Sequence, residues 1–73
     1  MKITRELLSS LTFRVFTKTD YYGFSGVESP VPLIAETDEF LVIIDGSYAE
    51  LYTAADLAEG LEPTDQVDDI RLL

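Results

Sequence analysis

The sequence predicts a small α+β domain, in which an antiparallel β-meander of three or four strands, or of five if the C-terminus adds one, packs against two short helices. Three observations lead to this prediction. Two runs rich in β-branched and aromatic residues flank Asp45-Gly46, a helix signal lies near the N-terminus, and a second helix signal covers residues 54–59. We expect residues 1–73 to form one domain, close to the lower size limit of a chain that folds alone.

The stretch from Asp38 to Tyr52 is predicted to form a β-hairpin around which the rest of the chain is organised. Asp45-Gly46 suits the two central positions of a type I′ turn, where both residues take a positive φ. That turn sets three cross-strand pairs, which are Ile44 with Ser47, Val42 with Ala49, and Phe40 with Leu51.

Alternation along the two strands assigns the side chains of the hairpin to two faces. We expect the first face to be core, and it carries Phe40, Val42, Ile44, Ala49 and Leu51. The second face is too apolar to lie in solvent, so another segment must cover it; it carries Leu41, Ile43, Tyr48, Glu50 and Tyr52.

Before the hairpin, the sequence predicts a helix, a strand and a loop. A short helix runs from Ile3 to Leu11 with Thr4 as its N-cap, and its apolar stripe must dock on the sheet for the helix to be stable. Thr12 to Thr19 is the first strand, because β-forming residues alternate there. Asp20 to Pro30 is a loop whose aromatic residues either form a binding surface or fold back over the core.

Val31 to Glu36 is predicted as the next strand, with an irregular start at Pro32, and residues 37–39 turn into the hairpin. The three strands from residue 31 to residue 52 therefore form an antiparallel meander.

The chain after the hairpin begins with a strong helix signal. Thr53 and Asp56 fit a capping box for the helix at residues 54–59, and Gly60 is placed to end it. Val67 to Leu72 is then predicted as a final strand, because apolar and polar residues alternate there; a helix capped by Thr64 is the alternative.

The formal net charge is −9, and it is unevenly distributed. Four of the five basic residues lie in the first eighteen positions, whereas thirteen acidic residues and no basic one lie between Thr19 and Ile70. Such a charge distribution repels nucleic acids and anionic lipid surfaces, and it attracts protein surfaces that hold phosphates. Solubility alone is the competing explanation for the acidity.

The residues needed for catalysis are missing. The chain has no histidine and no cysteine, so disulfides and ordinary zinc ligation are excluded. A Ser–Lys pair is the remaining option for nucleophilic catalysis, and the position of both lysines near the N-terminus disfavours it. Asp65, Asp68 and Asp69 offer oxygen ligands but lack the spacing of a calcium-binding loop. We therefore expect no enzymatic activity, no cofactor and no metal site.

Protein recognition remains as the predicted activity. We expect a regulator or inhibitor that docks an acidic, tyrosine-bearing surface on a host protein with a basic nucleic-acid-binding site, such as RNA polymerase, a nuclease or a CRISPR effector. The chain carries no family motif, but in size, acidity and lack of catalytic groups it resembles the small proteins that phages make to occupy host nucleic-acid machinery. The candidate contact residues are Tyr48, Glu50, Tyr52, Tyr21, Tyr22, Glu36 and Asp38.

The alternative is a structural or assembly module that self-associates through its sheet, so we expect a monomer or a weak homodimer. The longest apolar run, Phe40 to Ile44, is far shorter than the ~20 residues of a membrane-spanning helix, and Met1-Lys2 leads into a helix rather than a signal peptide. We expect a cytoplasmic protein, located in the host cytoplasm if a phage encodes it.

Overall fold

A computed structural model describes residues 1–20, 32–59 and 62–73 of the chain. Over these residues the protein forms an antiparallel sheet whose strands are ordered β1-β2-β3-β4-β5, as in a meander. Two helices and two short 3₁₀-helices complete the fold. In chain order the elements are α1 (Arg5–Ser10), β1 (Arg14–Val15), a 3₁₀-helix (Lys18–Asp20), β2 (Leu33–Glu36), β3 (Phe40–Asp45), β4 (Tyr48–Thr53), α2 (Ala54–Glu59), β5 (Asp65–Val67) and a second 3₁₀-helix (Ile70–Leu72).

The predicted α+β class is confirmed, and the sheet is buried on both faces. On the first face, Val42, Ala49 and Leu51 cluster with Ile3 and with apolar side chains of α1. On the second face, a cluster built around the pair Leu41 and Tyr52 is completed by Phe16 and by Leu57 of α2. Short elements from both ends of the chain thus supply the two covering layers.

The hairpin forms where it was predicted, but its turn was predicted one residue too early. Gly46 and Ser47 are the two loop residues, so Asp45 pairs with Tyr48, and Val42 pairs with Leu51 rather than with Ala49. Gly46 has a positive φ, of 65°, and the observed turn places this residue first in the loop. Because every pair shifts by two residues, each side chain keeps its predicted face.

Both helix caps that were predicted from the sequence are confirmed. The Leu7 N–H donates to Thr4 Oγ1 (3.1 Å) at the start of α1. At α2 the capping box is reciprocal, because the Thr53 N–H donates to Asp56 Oδ2 (2.8 Å) and the Asp56 N–H donates to Thr53 Oγ1 (3.3 Å). The expected helix end at Gly60 lies outside the described residues.

The first strand is much shorter than its predicted range, Thr12 to Thr19. Only Arg14–Val15 is strand, after which the Phe16 N–H still donates to the Pro32 carbonyl (2.8 Å). The Thr17 N–H donates instead to the Asp20 carboxylate (2.9 Å), so the chain leaves the ladder and turns into the first 3₁₀-helix. On the neighbouring strand, β2 begins at Leu33, directly after Pro32.

The C-terminal strand was predicted at the wrong residues. The strand covers Asp65–Val67, and Ile70–Leu72 is a 3₁₀-helix rather than the end of a strand over Val67 to Leu72. Asp69 caps this helix by accepting a hydrogen bond from the Arg71 N–H (3.0 Å). The turn directs Ile70 and Leu73 toward the first-face cluster, which a continuing strand would not do.

None of the helices in the described ranges has the length and apolar character that a bilayer crossing requires.

We expect Leu51→Ala to lower the free energy of unfolding by about 2–5 kcal/mol, because the fully buried side chain leaves a cavity that its neighbours fill only in part. Leu72→Ala is the matched control, since it removes the same atoms from a side chain that is 83% exposed, and it should change stability by less than about 0.5 kcal/mol. Urea unfolding followed by circular dichroism measures both. Equal effects of the two substitutions would contradict the described core.

We expect Gly46→Ala to cost about 1 kcal/mol of stability through backbone conformation alone, because φ is +65° and an added Cβ meets nothing within 4 Å. Gly46→Asn should cost less, because asparagine tolerates the left-handed region better than alanine does. Urea unfolding again gives the comparison. If the Gly46→Ala variant were as stable as the wild type, this result would contradict the observed turn.

Candidate functional site

The candidate site lies on the second face of the sheet, where the register brings polar side chains of β4 and β5 together. Glu50 pairs with Ile43 on one side and with Gln66 of β5 on the other, so these three side chains stand in one row. The Ile70 N–H donates to the Ser47 carbonyl (2.8 Å), which holds the segment after β5 close to the hairpin turn.

We refer to the polar group at this end of the sheet as the β4–β5 patch. Its tyrosine is held by a hydrogen bond from the Tyr48 hydroxyl to Gln66 Oε1 (2.8 Å). Tyr48 and Glu50 are half-buried, and the other members are exposed. The patch consists of Asp45, Tyr48, Glu50, Gln66 and Asp68.

The orientation of Glu50 is set by the buried Tyr52. The Tyr52 hydroxyl donates to Glu50 Oε2 at 2.8 Å, while the Tyr52 ring belongs to the second-face core and is only 1% exposed. A carboxylate that accepts a bond from a rigid donor loses little further freedom when it binds a cation. The hydrogen bond therefore restricts the orientation of the Glu50 carboxylate.

The two phenols of this region have raised pKa values. Burial raises the pKa of Tyr48, and the negative charges of Glu50 and Asp68 raise it further. Burial also raises the pKa of Tyr52 well above its ordinary value of 10.0, and the hydrogen bond to Glu50 adds to the effect. Both hydroxyl groups are therefore neutral hydrogen-bond donors at physiological pH, and the carboxylates carry the charge of the patch.

The residues predicted from the sequence do not form a single site. Tyr48 and Glu50 are brought together in the β4–β5 patch. Tyr52 was predicted as a contact residue, but its burial withdraws the ring from the surface and leaves it the role of holding Glu50. Tyr21 and Tyr22 lie outside the described residues.

The two remaining predicted residues, Glu36 and Asp38, lie away from the patch. Glu36 is on β2, about 12 Å from Glu50 by strand spacing, and its carboxylate is 3.8 Å from the Arg14 guanidinium. Asp38 is exposed in the turn between β2 and β3, at the opposite end of the hairpin from Tyr48. Glu36 and Asp38 are therefore separate from the β4–β5 patch.

Sequence reasoning missed three members of the patch. Asp45 was predicted as a turn residue. Gln66 was predicted to lie before the final strand and Asp68 within it, because the strand was predicted to begin at Val67 rather than at Asp65. A strand prediction beginning at Asp65 would have paired Gln66 with Glu50 and revealed the cluster.

The acidic residues of the patch take no part in the salt bridges of the described residues. Among the described residues, the salt bridges join Arg14 to Asp20 and Glu36, and Arg71 to Asp69. None of these salt bridges includes Asp45, Glu50 or Asp68. The patch is thus a region of uncompensated negative charge beside an aromatic ring, which suits the binding of a cationic group.

The described ranges contain no group of three or more acidic side chains placed to hold a metal ion. Asp65, Asp68 and Asp69, which were weighed as oxygen ligands, are no exception: Asp65 accepts a hydrogen bond from the Ile3 N–H (2.7 Å), and Asp69 binds Arg71.

Comparison of the chain with models of protein families, with curated proteins and with solved structures finds no match. The candidate site is accordingly defined by the geometry and charge of this chain's own residues.

We expect Glu50→Gln to lower the pKa values of Tyr48 and Tyr52 toward 10.0, because it removes the negative charge that disfavours both phenolates. The control Glu59→Gln, at an exposed position of α2, removes the same charge and should leave both phenols unchanged. NMR titration of the tyrosine ring carbons measures each pKa separately.

The same shifts have a consequence for stability. In the folded protein the pKa values of Tyr48 and Tyr52 lie above the unfolded-state value. The contribution of the two neutral phenols to folding stability is therefore complete below pH 10.0, and it is lost as the pH rises through the folded-state pKa values. Glu50→Gln should reduce this loss of stability at alkaline pH. Identical tyrosine titrations in the Glu50→Gln and Glu59→Gln variants would contradict the described contacts.

Proposed function

We propose that the protein is a non-enzymatic binding protein that docks its β4–β5 patch on the basic surface of a nucleic-acid-handling protein, and so regulates or inhibits it. RNA polymerase, a nuclease or a CRISPR effector carries a surface of this kind. The protein would occupy a site that a polyanion normally fills, in competition with that polyanion.

One observation carries the proposal: the patch places three carboxylates, none of which takes part in the ion pairs of the described residues, around the half-buried Tyr48. Complementary positive charge on a partner is attracted to a surface of this kind. Solubility alone does not require carboxylates to gather around a half-buried tyrosine.

The aromatic member of the patch supports the same proposal. Tyr48 is half-buried, is fixed by its bond to Gln66, and offers a rigid ring with a polar tip. Tyrosines of this kind are enriched at the centres of protein interfaces, where they bury large area at low entropic cost. Arginine and lysine side chains additionally bind to aromatic faces.

The charge of the chain favours a protein partner over nucleic acid or a membrane. A net charge of −9 repels phosphates of either source, whereas it accelerates encounter with a basic protein surface. The resulting complex should weaken as the salt concentration rises, because exposed charges are screened within about 10 Å at 0.1 M salt.

A structural or assembly module is the second candidate function, and one observation favours it. Val15 of β1 and Leu33 of β2 are 54% and 39% exposed, so the edge of the sheet carries an apolar pair. The face that carries Leu41 and Ile43 offers no second surface of this kind, because these side chains are buried within the chain at 1% and 7% exposure. Assembly would therefore require the β1 edge to be open to a second strand.

We expect the triple variant Asp45→Asn, Glu50→Gln and Asp68→Asn to bind a basic partner at least about tenfold more weakly than the wild type, because each substitution removes one charge of the patch. The control variant Glu6→Gln, Glu59→Gln and Glu62→Gln removes the same total charge from exposed positions elsewhere. It should lose less than about threefold, since distant charges contribute only through the screened overall field.

Binding is measured by calorimetry against purified RNA polymerase core enzyme, a nuclease and a CRISPR effector, at low and at high salt. Equal losses in the two triple variants, or an affinity that is indifferent to salt, would contradict the proposal. A complete absence of binding across the three partners would also count against it.

A further inference from the structure

The β1 edge of the sheet is the surface that strand addition would use. Arg14 pairs with Ile34, and the Phe16 N–H donates to the Pro32 carbonyl (2.8 Å), so these two residues direct their backbone groups toward β2. Because alternate residues of an antiparallel strand point their backbone groups to opposite sides, those of Val15 and Thr17 point away from the sheet.

This edge carries the features that promote pairing with another strand. Val15 is 54% exposed and stands opposite Leu33, which is 39% exposed, so an apolar pair lies directly at the rim. An exposed apolar edge with outward backbone groups is a template for strand addition. At the other edge of the sheet, Asp65 in β5 and Asp68 directly after it carry like charges, which repel a second copy of that edge.

Three outward backbone groups of the β1 edge are bonded within the chain. The Thr17 N–H donates to Asp20 Oδ2 (2.9 Å), and the Asp20 N–H donates to the Thr17 carbonyl (2.9 Å). The Arg14 guanidinium reaches the Val15 carbonyl (3.4 Å) and binds both carboxylate oxygens of Asp20 (2.6 and 2.5 Å). Three of the groups that a new strand would need are therefore already occupied.

We propose that the Arg14–Asp20 ion pair closes the β1 edge and prevents it from pairing with β1 of a second copy of the chain. An antiparallel pairing of two β1 strands centred on Val15 places each Val15 opposite its equivalent, where both form backbone hydrogen bonds. The same pairing buries the two apolar pairs against each other. In the closed state the Arg14 guanidinium donates to the Val15 carbonyl that this pairing uses.

The strength of the closing contacts fits this role. Asp20 is only 6% exposed and accepts bonds from the guanidinium, from the Thr17 N–H and from the Thr17 hydroxyl (2.8 Å). The Arg14 hydrogen bonds hold the pKa of Asp20 well below its usual range, so the carboxylate stays ionised and the edge stays closed. This inference does not rest on the proposed function, since the β4–β5 patch lies at the opposite edge of the sheet.

The test compares Asp20→Ala with Asp38→Ala, which removes the same atoms and charge from an exposed turn. In sedimentation equilibrium over a series of concentrations, we expect the mass of the Asp20→Ala variant to rise toward twice that of the wild type. The control should keep the wild-type mass. Circular dichroism establishes that each variant retains its sheet.

A second substitution distinguishes edge pairing from aggregation after unfolding. Val15→Pro removes an N–H that points away from β2 and so costs no bond within the sheet, but it blocks pairing at the edge. The variant with both Asp20→Ala and Val15→Pro should return to the wild-type mass. Continued association of this double variant would overturn the proposal, as would a folded Asp20→Ala variant with the wild-type mass.

Arg14→Gln decides the case in which Asp20→Ala fails to fold, because it opens the Val15 carbonyl while leaving the bonds between Asp20 and Thr17 in place. The Arg14→Gln variant should associate, and adding Val15→Pro to it should restore the wild-type mass. A folded Arg14→Gln variant with the wild-type mass would overturn the proposal. Unfolding of both variants would also overturn it, because the ion pair would then be needed for folding rather than for closing the edge.

Discussion

The fold depends on one constraint, which is that the β3–β4 hairpin is buried from both sides. Val42 and Leu51 on one face, and Leu41 and Tyr52 on the other, are at most 1% exposed. A chain of 73 residues must then find two covering layers, and it does so with helices of six residues each. Helices this short are unstable alone, so their caps and their packing on the hairpin are both required.

Burial of both faces also decides where charge can lie. With the centre of the sheet covered, ionisable groups remain at its rims, and the arrangement differs between the two edges. At the β1 edge, Arg14 neutralises the nearly buried Asp20 and contacts Glu36. At the β4–β5 edge, the carboxylates around Tyr48 have no such cation among the described residues. One edge is thus closed and neutralised, and the other remains negatively charged.

Much of the fold could be predicted from local signals. Thr4 and the pair of Thr53 and Asp56 marked the helix starts, and alternation assigned the hairpin side chains to the correct faces. The turn was misplaced because Asp-Gly and Gly-Ser both satisfy short-range turn chemistry, and the choice between them depends on packing. The same limit affected β5, since the turn at Asp69 follows from the docking of Ile70 on the other face.

The candidate site was only partly predictable, because it depends on long-range register. Tyr48 and Glu50 could be selected by type and spacing, but the burial of Tyr52 and the pairing of Glu50 with Gln66 required the sheet. The most direct test of the account is an NMR titration of the protein with a short arginine-rich peptide, which serves as a generic cationic probe. Amide shifts concentrated at residues 45–50 and 65–68 are predicted; shifts spread evenly over the acidic residues, or centred on Glu36 and Asp38, would contradict it.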